Sequence, residues 1–130
     1  MAANKRVTTI GYPASADLSS NQFRIVNIDG NGQLAALANG NTPPLGVLLN
    51  KPNAAGREGE VAIEGSDVKL EAGAVLNEGD LVVPVAGGRG SAINGTASGT
   101  TWVVGICTQP ASGSAAIAGV LVRPYFHVRP

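Results

Sequence analysis

Hydrophobic and polar residues alternate in short runs along this chain. Val61 and Ile63, Val68 and Leu70, and then Leu81, Val83 and Val85 each recur at every second position. That is the period at which a strand turns one face to a core and the other to solvent. Gly65, Gly73 and Gly79 separate the runs, where a reversing chain needs a residue that takes a positive φ at little steric cost. The pattern predicts tight antiparallel β-structure. Upstream, Phe23 and Ile25 alternate and lead into Asp29-Gly30-Asn31-Gly32, after which Gln33 to Leu37 resumes an apolar run. Asp-Gly and Asn-Gly between such runs are hairpin signals. Tyr125 to Val128 alternates again and predicts a last strand.

Two stretches echo each other. Leu45-Gly46-Val47-Leu48-Leu49 is followed by Pro52, Gly56, Val61 and Ile63; Val104-Gly105-Ile106-Cys107-Thr108 is followed by Pro110, Gly113, Ile117, Val120 and Val122. Each reads as strand, turn with Pro and Gly, strand, and such an echo is the mark of one supersecondary unit built twice. Pro52 and Pro110 lack the N–H that a ladder needs, so both belong in connections. The run from Ala86 to Gly99 is low in complexity and reads as an exposed loop flanking one short strand. Residues 1–20 are richer in Ala, Ser, Thr and Asn. They read either as a flexible N-terminal arm ahead of a single β-rich domain at 21–130 or, around Val7 to Ile10, as an edge strand of that domain.

Composition narrows the class. A chain of 130 residues fits one domain, and 18 glycines and 8 prolines at 44% hydrophobic content favour short strands and turns over disorder. The expected fold is all-β: a small, glycine-rich antiparallel β-barrel or sandwich with short strands and an extended N-terminal arm. Aromatic residues are only 4% of the chain, so each strand buries modest area and the monomer gains from oligomerising. Nine basic residues balance nine acidic ones, leaving no field to steer the protein to nucleic acid or an anionic membrane. No apolar stretch approaches the roughly twenty residues a membrane span needs, and the N-terminus has no signal-peptide core. Synthesis in a cytoplasm, in soluble form, is expected.

Candidate chemistry is sparse. Cys107 lies in the apolar run Trp102 to Cys107 and reads as a small buried hydrophobe. His127, the one histidine, reads as a solvent-facing strand residue. Gly87-Gly88-Arg89-Gly90 lacks the Lys-Ser or Lys-Thr and the helix that a phosphate loop requires. Glu58 and Glu60 fall on one strand face but read as solvated positions between core residues, and no Cys and His cluster has zinc spacing. Catalysis is therefore disfavoured: no catalytic residue, metal ligand or cofactor site is assigned.

Taken in order, Gln22-Phe23 through Gly30, Pro44-Leu45-Gly46-Val47, Gly56, Glu60-Val61-Ala62-Ile63, Gly65, Val68-Lys69 to Ala72-Gly73-Ala74 and Glu78-Gly79-Asp80-Leu81-Val82 resemble bacteriophage capsid decoration, or cement, proteins. Val104-Gly105-Ile106 and Ala118-Gly119-Val120-Leu121-Val122 fit the same pattern. The resemblance implies a β-rich virion protein on the capsid exterior. It would bind the major capsid protein, commonly as a homotrimer at local three-fold sites, stabilise the expanded head, and need no cofactor. An extended segment at Lys5, Arg6, Val7, Thr8, Thr9 and Ile10 would then be the capsid-binding arm, adding a strand to a capsid-protein edge. A second similarity, of Glu71 to Val82 to biotinyl and lipoyl carrier domains, would require a modified lysine. Lys51 has a loop setting but not the Met-Lys context.

Overall fold

In the computed structural model, which describes residues 6–37, 39–93 and 101–128, β1 (Thr9–Pro13), β2 (Ile25–Ile28), β3 (Leu34–Ala36), β4 (Gly46–Leu48) and β5 (Glu58–Ala62) form one antiparallel sheet in the order β1-β5-β4-β2-β3. β6 (Asp67–Glu71), β7 (Leu81–Val85), β8 (Arg89–Ala92), β9 (Thr101–Gln109) and β10 (Ile117–His127) form a second, in the order β6-β10-β9-β7-β8. Adding five to each strand number of the first order gives the second, so one topology is built twice. The architecture is all-β and sandwich-like. Neither sheet closes into a barrel, although an isolated parallel bridge draws the outer strands together in each: Ala14 to Leu34 in the first, Ala72 to Gly90 in the second.

The repetition extends to single hydrogen bonds. The amide of Ala14 donates to the Arg57 carbonyl at 2.7 Å, and that of Ala72 to Ala116 at 2.8 Å. Leu18 donates to Pro52 at 2.8 Å, and Leu76 to Ala111 at 3.0 Å. The Arg24 carbonyl accepts from Leu48 at 3.0 Å, and the Asp80 carbonyl from Cys107 at 2.8 Å. Left-handed backbone recurs as well, at Phe23 (φ 64°) and Gly79 (φ 89°), and at Gly56 (φ 86°) and Ala115 (φ 69°). The echo read around Gly46 and Gly105 is thus the visible part of a duplication that spans both sheets.

The β2–β3 hairpin forms where Asp29-Gly30-Asn31-Gly32 predicts it. The Asp29 side chain accepts from the amides of Asn31 at 2.9 Å and Gln33 at 3.0 Å, and Gly32 takes φ 75°. Pro52 and Pro110 lie in the β4–β5 and β9–β10 connections. In the low-complexity run, Arg89–Ala92 is β8 and Ala86–Gly88 a tight turn with left-handed backbone at Gly87 and Gly88 (φ 79° and 81°); residues 94–99 lie outside the described residues.

At β7 the alternation selects the opposite face. Val82 and Pro84 are buried, whereas Leu81, Val83 and Val85 are only partly so. The five residues are all apolar, so period alone cannot choose a side; register does, by placing Val82 opposite Gly105 and Ala92. Pro84 is tolerated because the β7–β9 ladder covers only Leu81 and Val82, leaving no partner there for the missing N–H.

Two clusters of buried side chains result. One lies inside the first half, around Ala14, Leu18, Val26, Leu34, Leu48 and Val61. The other lies inside the second half, around Leu70, Leu76, Val82, Cys107, Val120 and Val122, and also takes in Ile25, Leu37 and Val47 from the outer face of the first sheet. The halves therefore share a core. They are also bridged by polar contacts: Arg24 of the first half pairs with Glu71 of the second at 3.1 Å, Arg89 pairs with the same carboxylate, and the Glu71 amide donates to the Phe23 carbonyl at 2.7 Å.

Candidate functional site

The chain segment singled out for binding runs along an edge of the first sheet. β1 pairs only with β5 in its ladder, Thr9 opposite Ala62, Ile10 opposite Val61 and Gly11 opposite Glu60. The Ile63 amide donates to the Thr8 carbonyl at 3.0 Å, which fixes the alternation. The backbone groups of Thr8, Ile10 and Tyr12 turn toward β5, and those of Thr9 and Gly11 turn outward, away from the sheet. An edge of this kind is a template for another strand.

Ser66 anchors the start of the segment. Its buried hydroxyl accepts from the Thr8 amide at 2.8 Å and donates to the Thr8 carbonyl at 3.0 Å, while the Asp67 amide donates to the Arg6 carbonyl at 2.9 Å. Arg6, Val7, Thr8, Thr9 and Ile10 are all exposed; Lys5 lies outside the described residues. Thr9–Pro13 forms an edge strand, and Ala14 and Leu18 are buried behind it.

The residues considered for catalysis do not assemble. Cys107 is buried opposite Val120, and His127 stands opposite Thr101, which places them roughly 20 Å apart along β10. Burial pushes the Cys107 thiol up, and the carboxylates of Asp80 and Glu78 push the same way, so the reactive thiolate is disfavoured. Glu58 and Glu60 are exposed on β5 with Gly59 buried between them. Among the described residues no group of three His, Cys, Asp or Glu is placed to hold a metal ion, and no helix is long and apolar enough to cross a membrane. Lys51 is exposed in the β4–β5 connection.

Two features were not anticipated from the sequence. One is a surface cleft of about 470 Å³ on the second half, lined by Val75, Leu76, Pro110, Ala111, Ala116 and Ile117 together with Asn77 and Ser112. The other is the far end of the β9–β10 ribbon, where Trp102 and Phe126 pair across the strands with ring centroids 5.2 Å apart and Val128 is exposed. The sequence signal for the cleft was apolar residues at positions whose counterparts in the first half are charged, visible only once the duplication is aligned in full; the ribbon end has no such counterpart in the first half.

The described residues thus form an all-β double repeat with an open strand edge and exposed apolar patches. The family model for phage cement proteins matches residues 2–124, and the chain belongs to that family. Membership makes it a structural virion-type protein that associates with a phage capsid. A search of curated proteins returns no match. The carrier-domain similarity gains nothing from these findings.

Proposed function

We propose that this protein binds the outer surface of a phage capsid as a homotrimer at local three-fold sites, contacts the major capsid protein there, and stabilises the expanded head. The observation that carries the reading is membership of the cement family over residues 2–124. The geometry supports it through β1, whose outward amides at Thr9 and Gly11 offer a strand edge while Val7 and Ile10 offer exposed apolar side chains beside it. Arg6, and Lys5 before it, would meet capsid carboxylates. Repetition over a symmetric shell adds avidity, because a trimer engages several capsid subunits at once. The proposed location is the capsid exterior. Neither nucleic acid, for which a net charge of zero offers no field, nor catalysis is part of this reading.

The test is co-sedimentation of the protein with expanded and unexpanded heads. Saturable binding to expanded heads is expected. Thr9→Pro removes one outward amide and leaves the β1–β5 ladder intact, so it should weaken binding about tenfold with little change in thermal stability. Undiminished binding by Thr9→Pro would exclude the β1 edge as the contact, and absence of binding to either form of head would exclude the cementing role.

A further inference from the structure

Large hydrophobic side chains exposed among the described residues fall in three places: Val7 and Ile10 at the start of β1, Val75 and Ile117 at the cleft, and Phe126 and Val128 at the ribbon end. The duplication supplies an internal control for the cleft. Pairing of Leu18 with Pro52 and of Leu76 with Ala111 aligns the two loop regions, and Glu58 opposite Pro13 corresponds to Ile117 opposite Glu71. On that alignment Asp17 corresponds to Val75, Lys51 to Pro110, Arg57 to Ala116 and Glu58 to Ile117. The same backbone thus carries four charged residues in one half and four apolar ones in the other. Folding does not require the apolar set, yet Val75 is 55% and Ile117 47% exposed. Leaving such side chains in water serves no stability, so a contact with a partner accounts for them.

The ribbon end projects apolar side chains of its own. Phe126 is 49% and Val128 65% exposed, and Phe126 is braced by the Trp102 ring. The Trp102 amide in turn donates to the Gly40 carbonyl at 2.9 Å, so the Phe126 ring is held in place before binding. The cleft, at about 470 Å³, has room for an aromatic ring and its neighbour. Ile117 and Phe126 lie toward opposite ends of β10, about 30 Å apart at strand rise. A chain therefore cannot fill its own cleft.

We propose that Phe126 and Val128 of one copy seat in the cleft formed by Val75, Pro110, Ala116 and Ile117 of a second copy, joining copies head to tail. The two surfaces differ, so the contact is heterologous and is satisfied throughout only when the copies close into a ring. The inference rests on the proposed function for the number of copies alone, three. β1 belongs to neither surface and stays free for the capsid.

Sedimentation velocity on the full chain tests this with variants that carry the first half's own residues. The wild type should run as one closed assembly. The double variant Val75→Asp/Ile117→Glu destroys the cleft and Phe126→Asp destroys the knob; each should run as a monomer with an unchanged circular dichroism spectrum. Val128→Asp, at the more exposed position, should loosen the assembly and serves if Phe126→Asp fails to fold. Mixed in equal amounts, the cleft variant and the knob variant retain one intact surface each and should form a heterodimer and nothing larger. A monomeric wild type, a variant that keeps the wild-type assembly, or folded variants that stay monomeric on mixing would overturn the proposal. A chain that saturates expanded heads as a monomer would remove this contact and leave the cementing role standing; one that closes into rings but ignores heads would do the reverse.

Discussion

Inside the first half, Leu34 fills the space beneath Gly59, where an added methyl would run into its Cδ1. At the equivalent point of the second half, Gly90 stands in place of Leu34, Ala118 in place of Gly59, and Leu70 reaches in to fill the volume that Gly90 leaves. The side chain that fills this space comes from β3 in the first half and from β6 in the second, an exchange that cores accept. The backbone hydrogen bonds do not move. The fold is therefore defined by the ladder and its left-handed turns, and side chains are free to differ wherever a neighbour compensates. Surface differences such as Asp17 against Val75 have no compensating neighbour inside the half, which is why they point to partners and not to packing.

The equivalence is broken most severely at its closest backbone approach. A methyl added at Gly46 would overlap the Ala62 carbonyl oxygen, and one added at Gly105 would overlap that of Leu121. Both neighbours are backbone within a paired strand and cannot swing aside. Gly46→Ala and Gly105→Ala should each cost about 3 kcal/mol or more in urea unfolding. A loss at one glycine without a matching loss at the other would show that the two ladders are not held with equal tightness.

Much of this arrangement was legible before any coordinates. Alternation located β5 and β6, Asp29 to Gly32 located a hairpin, and the Gly46 and Gly105 echo located the repeat. The face of β7 was not legible, because Leu81 to Val85 carries no polar residue to mark the solvent side. Phe23 was also opaque. Its alternation with Ile25 mimics a strand, but it takes the left-handed conformation that Gly79 takes in the other half, a cost an aromatic residue accepts only when its surroundings fix it. Here its carbonyl holds the Glu71 amide, and the Lys69 ammonium lies 5.8 Å from its ring centroid. The candidate binding edge was half legible. Exposed β-branched residues at Val7 to Ile10 marked a segment, but only the pairing of β1 with β5 shows which amides face outward.

A sharper asymmetry lies at the junction. Glu71 is paired with Arg24 and Arg89, whereas its counterpart in the first half, Pro13, carries no charge. Burial by itself would raise the Glu71 carboxyl. The hydrogen bonds and charges of Arg24 and Arg89 outweigh it and hold the group below its ordinary value of 4.5. A carboxylate depressed in the folded state contributes stability that is full above its unfolded pKa and is lost as pH falls through the folded one. Glu71→Gln should therefore cost about 1 kcal/mol near neutral pH, and its stability should converge on that of the wild type as pH drops below 4.5. A constant gap between the two proteins across that range would mean that shape, not charge, joins the halves at this point.

The mildest test exchanges Gly56 and Ala115, which hold the same turn at φ 86° and 69°. No atom lies within 4 Å of a methyl added at Gly56, so Gly56→Ala meets no clash and carries only the left-handed backbone penalty of about 1 kcal/mol. Ala115→Gly runs the other way. It relieves that penalty but admits extra freedom to the unfolded chain, worth roughly 0.5–1 kcal/mol, so the net change should be near zero or slightly stabilising. The two substitutions together should move thermal stability by no more than their separate effects added, since the sites lie in different halves and share no hydrogen bond. If Ala115→Gly instead destabilised the protein by more than about 1 kcal/mol, the entropic term could not account for it. The Ala115 methyl would then be making a contact that the first half lacks, and the repeat would be less regular at this turn than its hydrogen bonds indicate.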